Sequence, residues 1–83
     1  MKIRVRYFAS LRERLGAEEA VELPEGATVG ALRAALCARG GAHAEALAPG
    51  RAVRCALDQR MCSEAAALVD GAEVAFFPPV TGG

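Results

Sequence analysis

Strand-like alternation occupies both ends of the chain, and helical periodicity occupies its middle. From Lys2 to Phe8, Ile3, Val5 and Tyr7 fall on one face and Arg4, Arg6 and Phe8 on the other, the pattern of a half-buried strand. Ser10 to Gly16 predicts a short helix, with Ser10 as its cap, Leu11 and Leu15 four residues apart, and Gly16 as its end. Ala20-Val21-Glu22-Leu23 predicts a second strand, closed by the turn sequence Pro24-Glu25-Gly26. Thr28 opens the strongest helix, in which Val29, Leu32, Ala35 and Leu36 share a face before Gly40-Gly41. Residues 42–47 allow a further helical turn. Arg51 to Leu57 alternates again with Val53, Cys55 and Leu57 inward. Asp58-Gln59-Arg60 turns the chain into a short return at Met61-Cys62. After a turn at Asp70-Gly71, Glu73 to Phe77 forms the closing strand, with Val74 and Phe76 on one face and Ala75 and Phe77 on the other. Five strands and one principal helix predict an α+β domain, a mixed sheet with the helix packed across it.

At 83 residues the chain holds one domain, read as 1–77 followed by an extended tail, 78–83. A domain of this size buries about 60–65% of its unfolded surface, and the 53% apolar fraction suffices for one core. Ten basic and ten acidic residues cancel, and no basic stripe interleaved with aromatics suggests a nucleic-acid partner. No apolar run reaches the roughly 18–20 residues that span a bilayer, and the N-terminus has no signal-peptide h-region. A cytoplasmic protein without membrane or nucleic-acid partners is the expectation. Cys37, Cys55 and Cys62 are odd in number and lack CxxC spacing, so small buried hydrophobes are expected rather than disulfides or zinc ligands. The aromatics Tyr7, Phe8, Phe76 and Phe77 sit near the two ends of the chain, which predicts that the ends meet.

Side-chain chemistry is sparse. His43 is the single histidine, read as a surface imidazole, and no metal site is expected. Ser10 and Ser63 lack a nucleophile-elbow context, and the glycines form neither a Walker nor a dinucleotide-binding loop. The end of the sequence is different: Phe77 is followed by Pro78-Pro79-Val80-Thr81-Gly82-Gly83, with a free diglycine carboxylate expected at Gly83. Pro78 cannot continue a sheet ladder, and the two prolines make a stiff spacer. Six residues beyond Phe77 extend about 20 Å. Ordering a fully flexible segment of that length costs about 6–12 kcal/mol, and the fixed φ of two prolines lowers the cost. Glycines without a Cβ can thread a narrow channel and leave the terminal carbonyl open to attack. With nine glycines in 83 residues, a chance Gly-Gly end has odds of roughly one in a hundred.

The segment Asp70-Gly71-Ala72-Glu73-Val74-Ala75-Phe76-Phe77-Pro78-Pro79-Val80-Thr81-Gly82-Gly83 resembles the C-terminus of the small subunits of molybdopterin synthase, which are ubiquitin-like sulfur carriers. Tyr7-Phe8-Ala9-Ser10-Leu11-Arg12-Glu13 is similar to the same family, and element order agrees along the whole chain. The resemblance implies a β-grasp fold with the first and last strands parallel and adjacent at the sheet centre. It implies that a partner adenylyltransferase related to ubiquitin-activating enzymes adenylates Gly83 with ATP and magnesium. This chain itself would bind no cofactor. A sulfur-donor protein would then convert Gly83 to a thiocarboxylate. The tail would enter the large catalytic subunit, within a heterotetramer, and give its sulfur to cyclic pyranopterin monophosphate. The chain alone would not be an enzyme. On this reading Thr81 and Gly82 thread the channel, and Val80 and Pro79 line its mouth. Phe77, Phe8 and Arg12 face the partners. Phe77 is preferred as an anchor over a core residue, Phe76 is assigned to the core, and Arg12 also fits a solvated helix position. Asp58 stands where the family often has an amide, a difference confined to a turn.

Two other readings remain open. The same fold and tail fit a carrier for another pathway, such as a thiamine-type one, or a protein-conjugating modifier, although Phe-Phe-Pro-Pro-Val-Thr before the glycines favours molybdopterin. A β-grasp binding module with an inert tail is the reading from a different class.

Overall fold

The computed structural model describes residues 1–79. Elements follow in the order β1 (Lys2–Tyr7), α1 (Ala9–Leu15), β2 (Glu18–Glu22), α2 (Val29–Cys37), α3 (Gly41–Ala46), β3 (Arg54–Leu57), β4 (Arg60–Cys62) and β5 (Glu73–Phe77). The strands form a mixed sheet in the order β2-β1-β5-β3-β4. β1 and β5 run parallel at its centre, with Arg4 opposite Glu73 and Tyr7 opposite Phe76. The flanking pairs β1·β2, β3·β5 and β3·β4 are antiparallel. This is the α+β arrangement the sequence predicts, and the two ends of the chain do meet.

Alternation decides which face is core. Ile3, Val5, Tyr7, Val74 and Phe76 are buried on the helix side, where Val29, Leu32 and Leu36 of α2 complete a single cluster with Leu11 and Leu47. α2 starts where expected: Thr28 Oγ1 accepts from the Ala31 N–H at 3.1 Å, a cap that contributes about 1 kcal/mol. The first turn of a helix leaves N–H groups without partners. Those of Val29 and Gly30 donate to the carbonyls of Ala66 and Glu64 at 3.0 and 2.8 Å. Gly30 permits this approach, because a Cβ there would lie 3.2 Å from the Glu64 oxygen.

Several boundaries differ from the sequence reading. Ser10 is not a cap; Phe8 occupies the N-cap of α1, and no side chain caps that helix. β2 begins two residues early and leaves Leu23 outside the strand, its backbone paired instead with Met1, whose ammonium donates to Leu23 O at 2.7 Å. β3 starts only at Arg54, and the loop that leads to it is tied to a buried arginine up to Arg51. Arg33, on the core side of α2 and 7% exposed, donates through Nε to Leu47 O at 2.8 Å. Its Nη2 donates to Ala48 O at 2.6 Å and Arg51 O at 2.9 Å. Its Nη1 reaches Glu64 Oε2 at 2.6 Å. One guanidinium thus satisfies three carbonyls of the 47–51 loop, which it holds as irregular chain rather than strand. Gly16 ends α1 at φ 96° as predicted, and Asp58 and Gln59 turn the β3–β4 hairpin with φ of 47° and 70°. Asp58 also fastens this turn to β5, since its Oδ1 accepts from the Glu73 N–H at 3.0 Å.

The carbonyl bonds, more than the ion pair, set the value of Arg33. Arg33→Ala strands buried acceptors and is expected to cost about 3–5 kcal/mol. Glu64→Gln leaves those bonds in place at a residue whose side chain is 47% exposed, and should cost less than about 1 kcal/mol. Urea denaturation of both variants measures the difference; equal losses would contradict the assignment.

Candidate functional site

The register of β1 against β5 builds the site. Tyr7 and Phe76 are paired and buried, so the next residues, Phe8 and Phe77, turn to the opposite face, the one without helices. Phe8 is 38% exposed and still extended, with φ −127° and ψ 158°. Its N–H donates to Phe76 O at 3.1 Å, so it continues the parallel ladder one step past β1. Ala9 then adopts φ 52°, a left-handed conformation costing about 1–2 kcal/mol, and the chain swings into α1 while Phe8 stays at the sheet end. Arg12 follows one turn later, exposed, its N–H 3.3 Å from Phe8 O.

The same alternation places Ala75 with Phe77, and pairs Arg54 with Phe77 and Ala56 with both Ala75 and Met61. The open face therefore has an apolar centre of Phe8, Phe77, Ala75, Ala56 and Met61, the last 55% exposed. Arginines border it: Arg6 lies 5.1 Å over the Phe8 ring and 3.9 Å from Glu73, and Arg54 stands exposed beside Phe77. Such a surface suits a partner that offers apolar contact ringed by acidic groups. Sequence reading singled out Phe8, Phe77 and Arg12 as partner-facing and passed over Arg54, Ala56 and Met61, which share the open face. The signal was available in the alternation Arg54-Cys55-Ala56, which sends the neighbours of an inward cysteine outward.

β5 ends at Phe77, where Pro78 removes the next ladder donor. Pro78 and Pro79 are half-buried. Pro78 borders a groove of about 260 Å³ lined also by Leu11, Arg14, Ala46, Arg51 and Val53, so the spacer begins seated against the body. Val80, Thr81, Gly82 and Gly83 lie outside the described residues.

Behind the site, Tyr7 stacks on Phe76 with centroids 6.4 Å apart and donates from its hydroxyl to Glu19 Oε2 at 2.6 Å. Glu19 also pairs with Arg39 and with His43 Nε2 at 2.8 Å. His43 is thus not the surface imidazole expected: its side chain is 18% exposed and its ring meets Tyr7 edge-on at 6.2 Å. Nothing in a single sequence links residues 7, 19, 39 and 43. Burial and the hydrogen bond to Glu19 raise the Tyr7 phenol above its ordinary value. Burial pushes the Glu19 carboxyl up, but the bonds from Tyr7, Arg39 and His43 outweigh it and pull it down to about 2. Among the described residues no group of three or more His, Cys, Asp or Glu side chains could hold a metal, and no helix is long and apolar enough to cross a membrane.

A family model described as the ThiS family matches residues 5–83. The chain belongs to the ThiS family. Among curated relatives, the molybdopterin synthase sulfur carrier subunit of Escherichia coli (strain K12) is 42% identical over 81 residues, covering 98% of this chain and 99% of the relative. The protein of the same description from Haemophilus influenzae is 39% identical over 82 residues, with 98% and 99% covered. Among solved structures, the Haloferax volcanii HVO 2177 protein superimposes with a TM-score of 0.82 at 32% identity, covering all of this chain and 87% of that one. The β-grasp expectation is met by this ThiS-family chain.

The Glu19 network makes stability acid-sensitive. Its folded carboxyl titrates at about 2, below an unfolded value of about 4.3. Its contribution is complete above about pH 4.5 and vanishes as pH falls toward 2. Between pH 5 and 2.5 the wild type should lose about 1–2 kcal/mol more than Glu19→Gln, after allowance for solvent screening. Denaturation across that range measures it; identical acid dependence in the two proteins would refute the network's role.

Proposed function

We propose that this chain is the sulfur-carrier subunit of a molybdopterin synthase and that its reactive group is the carboxyl of Gly83. The observation that carries the reading is where the central strand leads. β5 runs out of the sheet into Pro78-Pro79 beside Phe8 and Phe77, in a chain that aligns over 98% of its length with a carrier of that description. A carboxylate is a weak electrophile, so an adenylyltransferase partner activates it with ATP and magnesium. A carboxylate oxygen of Gly83 attacks the α-phosphorus of ATP, the α–β anhydride bond breaks, and pyrophosphate leaves an acyl-adenylate. A sulfur-donor protein then displaces AMP and leaves a thiocarboxylate on Gly83. The large catalytic subunit, paired with this chain in a heterotetramer, receives the tail, and the sulfur passes to cyclic pyranopterin monophosphate.

Each residue has a part in this cycle. Gly82 and Thr81 fill the narrow channel, and Val80 and Pro79 occupy its mouth. Phe77 and Phe8 anchor the open face to one partner at a time, with Arg12 at the rim. Using one surface for both partners makes loading and delivery mutually exclusive. The sulfur carrier has no reaction of its own to run, in keeping with a core built for packing. The three free thiols suit a reducing cytoplasm.

Incubation with the activating enzyme, ATP, magnesium and a sulfur donor, followed by intact-mass measurement, tests the assignment. The wild type should gain about 16 Da, one oxygen replaced by sulfur. One residue appended after Gly83 should abolish the gain with melting unchanged. Phe77→Ala should slow it about 10–100-fold, the effect of losing an interface anchor. An appended tail that still loads would sink the assignment of Gly83.

A further inference from the structure

Two of the three cysteines are placed together by the β3–β4 hairpin. Cys55 and Cys62 are direct partners in the antiparallel register, and Cys55 is also paired with Phe76, which puts both thiols on the helix side of the sheet. Their sulfurs lie 3.6 Å apart. Directly opposed residues in an antiparallel pair have Cα atoms about 4.5–5.5 Å apart, inside the roughly 4.4–6.8 Å that a disulfide spans. Closing the bond requires side-chain rotation and an approach of about 1.5 Å between sulfurs, with no change of register. The two thiols differ in access. Cys55 is 6% exposed, whereas Cys62 is half-buried at the end of β4, the outermost strand on its side of the sheet. Cys37 stands apart, its Sγ bonded to Leu47 O at 3.0 Å.

We propose that Cys55 and Cys62 form a redox-active dithiol that closes to a cross-strand disulfide on meeting a hydroperoxide and reopens with thiol reductants. The sulfur of Cys62, the accessible partner, attacks the terminal peroxide oxygen. The O–O bond breaks, the departing alkoxide or hydroxide takes the proton from Cys62, and a sulfenic acid remains. The sulfur of Cys55 then attacks the sulfenic sulfur. An S–S bond forms, the S–O bond breaks, and the leaving hydroxide takes the Cys55 proton as water. Two thiols and one hydroperoxide give one disulfide, one alcohol or water, and one water. Burial, followed by the hydrogen bond from Cys62, pushes the Cys55 thiol up to about 11, which suits it to resolving rather than attacking first. Because the register holds β-carbons of facing strands about 4.5–5.5 Å apart, wider than the roughly 3.8 Å mean of relaxed disulfides, the closed bond is strained and readily reduced. The site is independent of the Gly83 chemistry.

The test treats the folded full chain with hydrogen peroxide, removes the peroxide, alkylates free thiols with iodoacetamide in denaturant so that the buried Cys55 is reached, and measures intact mass and peptide linkage. The expected product is a monomer that is about 2 Da lighter than the reduced chain before alkylation, that takes one alkyl group, at Cys37, instead of three, and that is linked between residues 55 and 62. Dithiothreitol should restore three labelled sites. Cys62→Ala, at a half-buried strand end, should keep the fold and leave Cys55 fully alkylated after peroxide. Circular dichroism verifies the fold, and Cys62→Ser serves if the alanine variant is unfolded. Three persistent labels, loss of label at Cys37 as fast as at the pair, disulfide-linked dimers, or oxygen added to Cys62 with Cys55 still labelled would each overturn the proposal.

Discussion

Everything about the site follows from the parallel pairing of β1 with β5. A parallel pair cannot be closed by a hairpin, so the chain between must cross over, and the faces of such a pair call for cover. Here α2 covers one face, with Val29, Leu32 and Leu36 against Ile3, Val5, Val74 and Phe76. The other face keeps its centre apolar and its border charged. Because the pairing joins the first strand to the last, Phe8 and Phe77 arrive side by side although 69 positions separate them in the sequence. β5 therefore ends at Phe77 beside Phe8, within this apolar centre and not at a sheet edge.

Much of this was legible in the residues, and the reasons for the misses are physical. Alternation in Lys2–Tyr7 and Glu73–Phe77 sorted the side chains onto two faces as the structure does, because half-buried strands impose a period of two. Thr28 and Gly16 marked helix ends because capping is a local matter. The Ser10 cap was a local miss; the other failures were non-local. Arg33 was passed over in the sequence, since its partners are three carbonyls of the 47–51 loop that folds over it. His43 reads as exposed until Glu19, 24 positions away, supplies its partner. Of the three predicted residues that β3 lacks, Arg51 gives its carbonyl to Arg33. Cys55 and Cys62 gave no sequence signal as a pair, since only the register of the hairpin sets them face to face.

Buried polar groups and the open face divide the labour. Arg33 and Glu19 tie loops and helix ends to the core through charge-assisted bonds, and among the described residues no buried side-chain polar atom lacks a partner. A domain this small has little stability to spare, and these ties let it leave Phe8 and Met61 exposed. On the proposed function the chemistry lies beyond Pro78-Pro79, at Gly83, and partner proteins would complete it in turn.

The claim at the centre of this account is that the carbonyl of Gly83 carries the sulfur. It is tested most directly by a single turnover without the activating enzyme. The chain is prepared with a synthetic thiocarboxylate at Gly83 and mixed with the large synthase subunit and cyclic pyranopterin monophosphate. Sulfur is then followed into the pterin by mass spectrometry. The account predicts dithiolene product, two spent carboxylate carriers for each product formed, and no product from the unmodified chain. Absence of sulfur in the pterin, with the thiocarboxylate still intact on a carrier bound to the subunit, would contradict it.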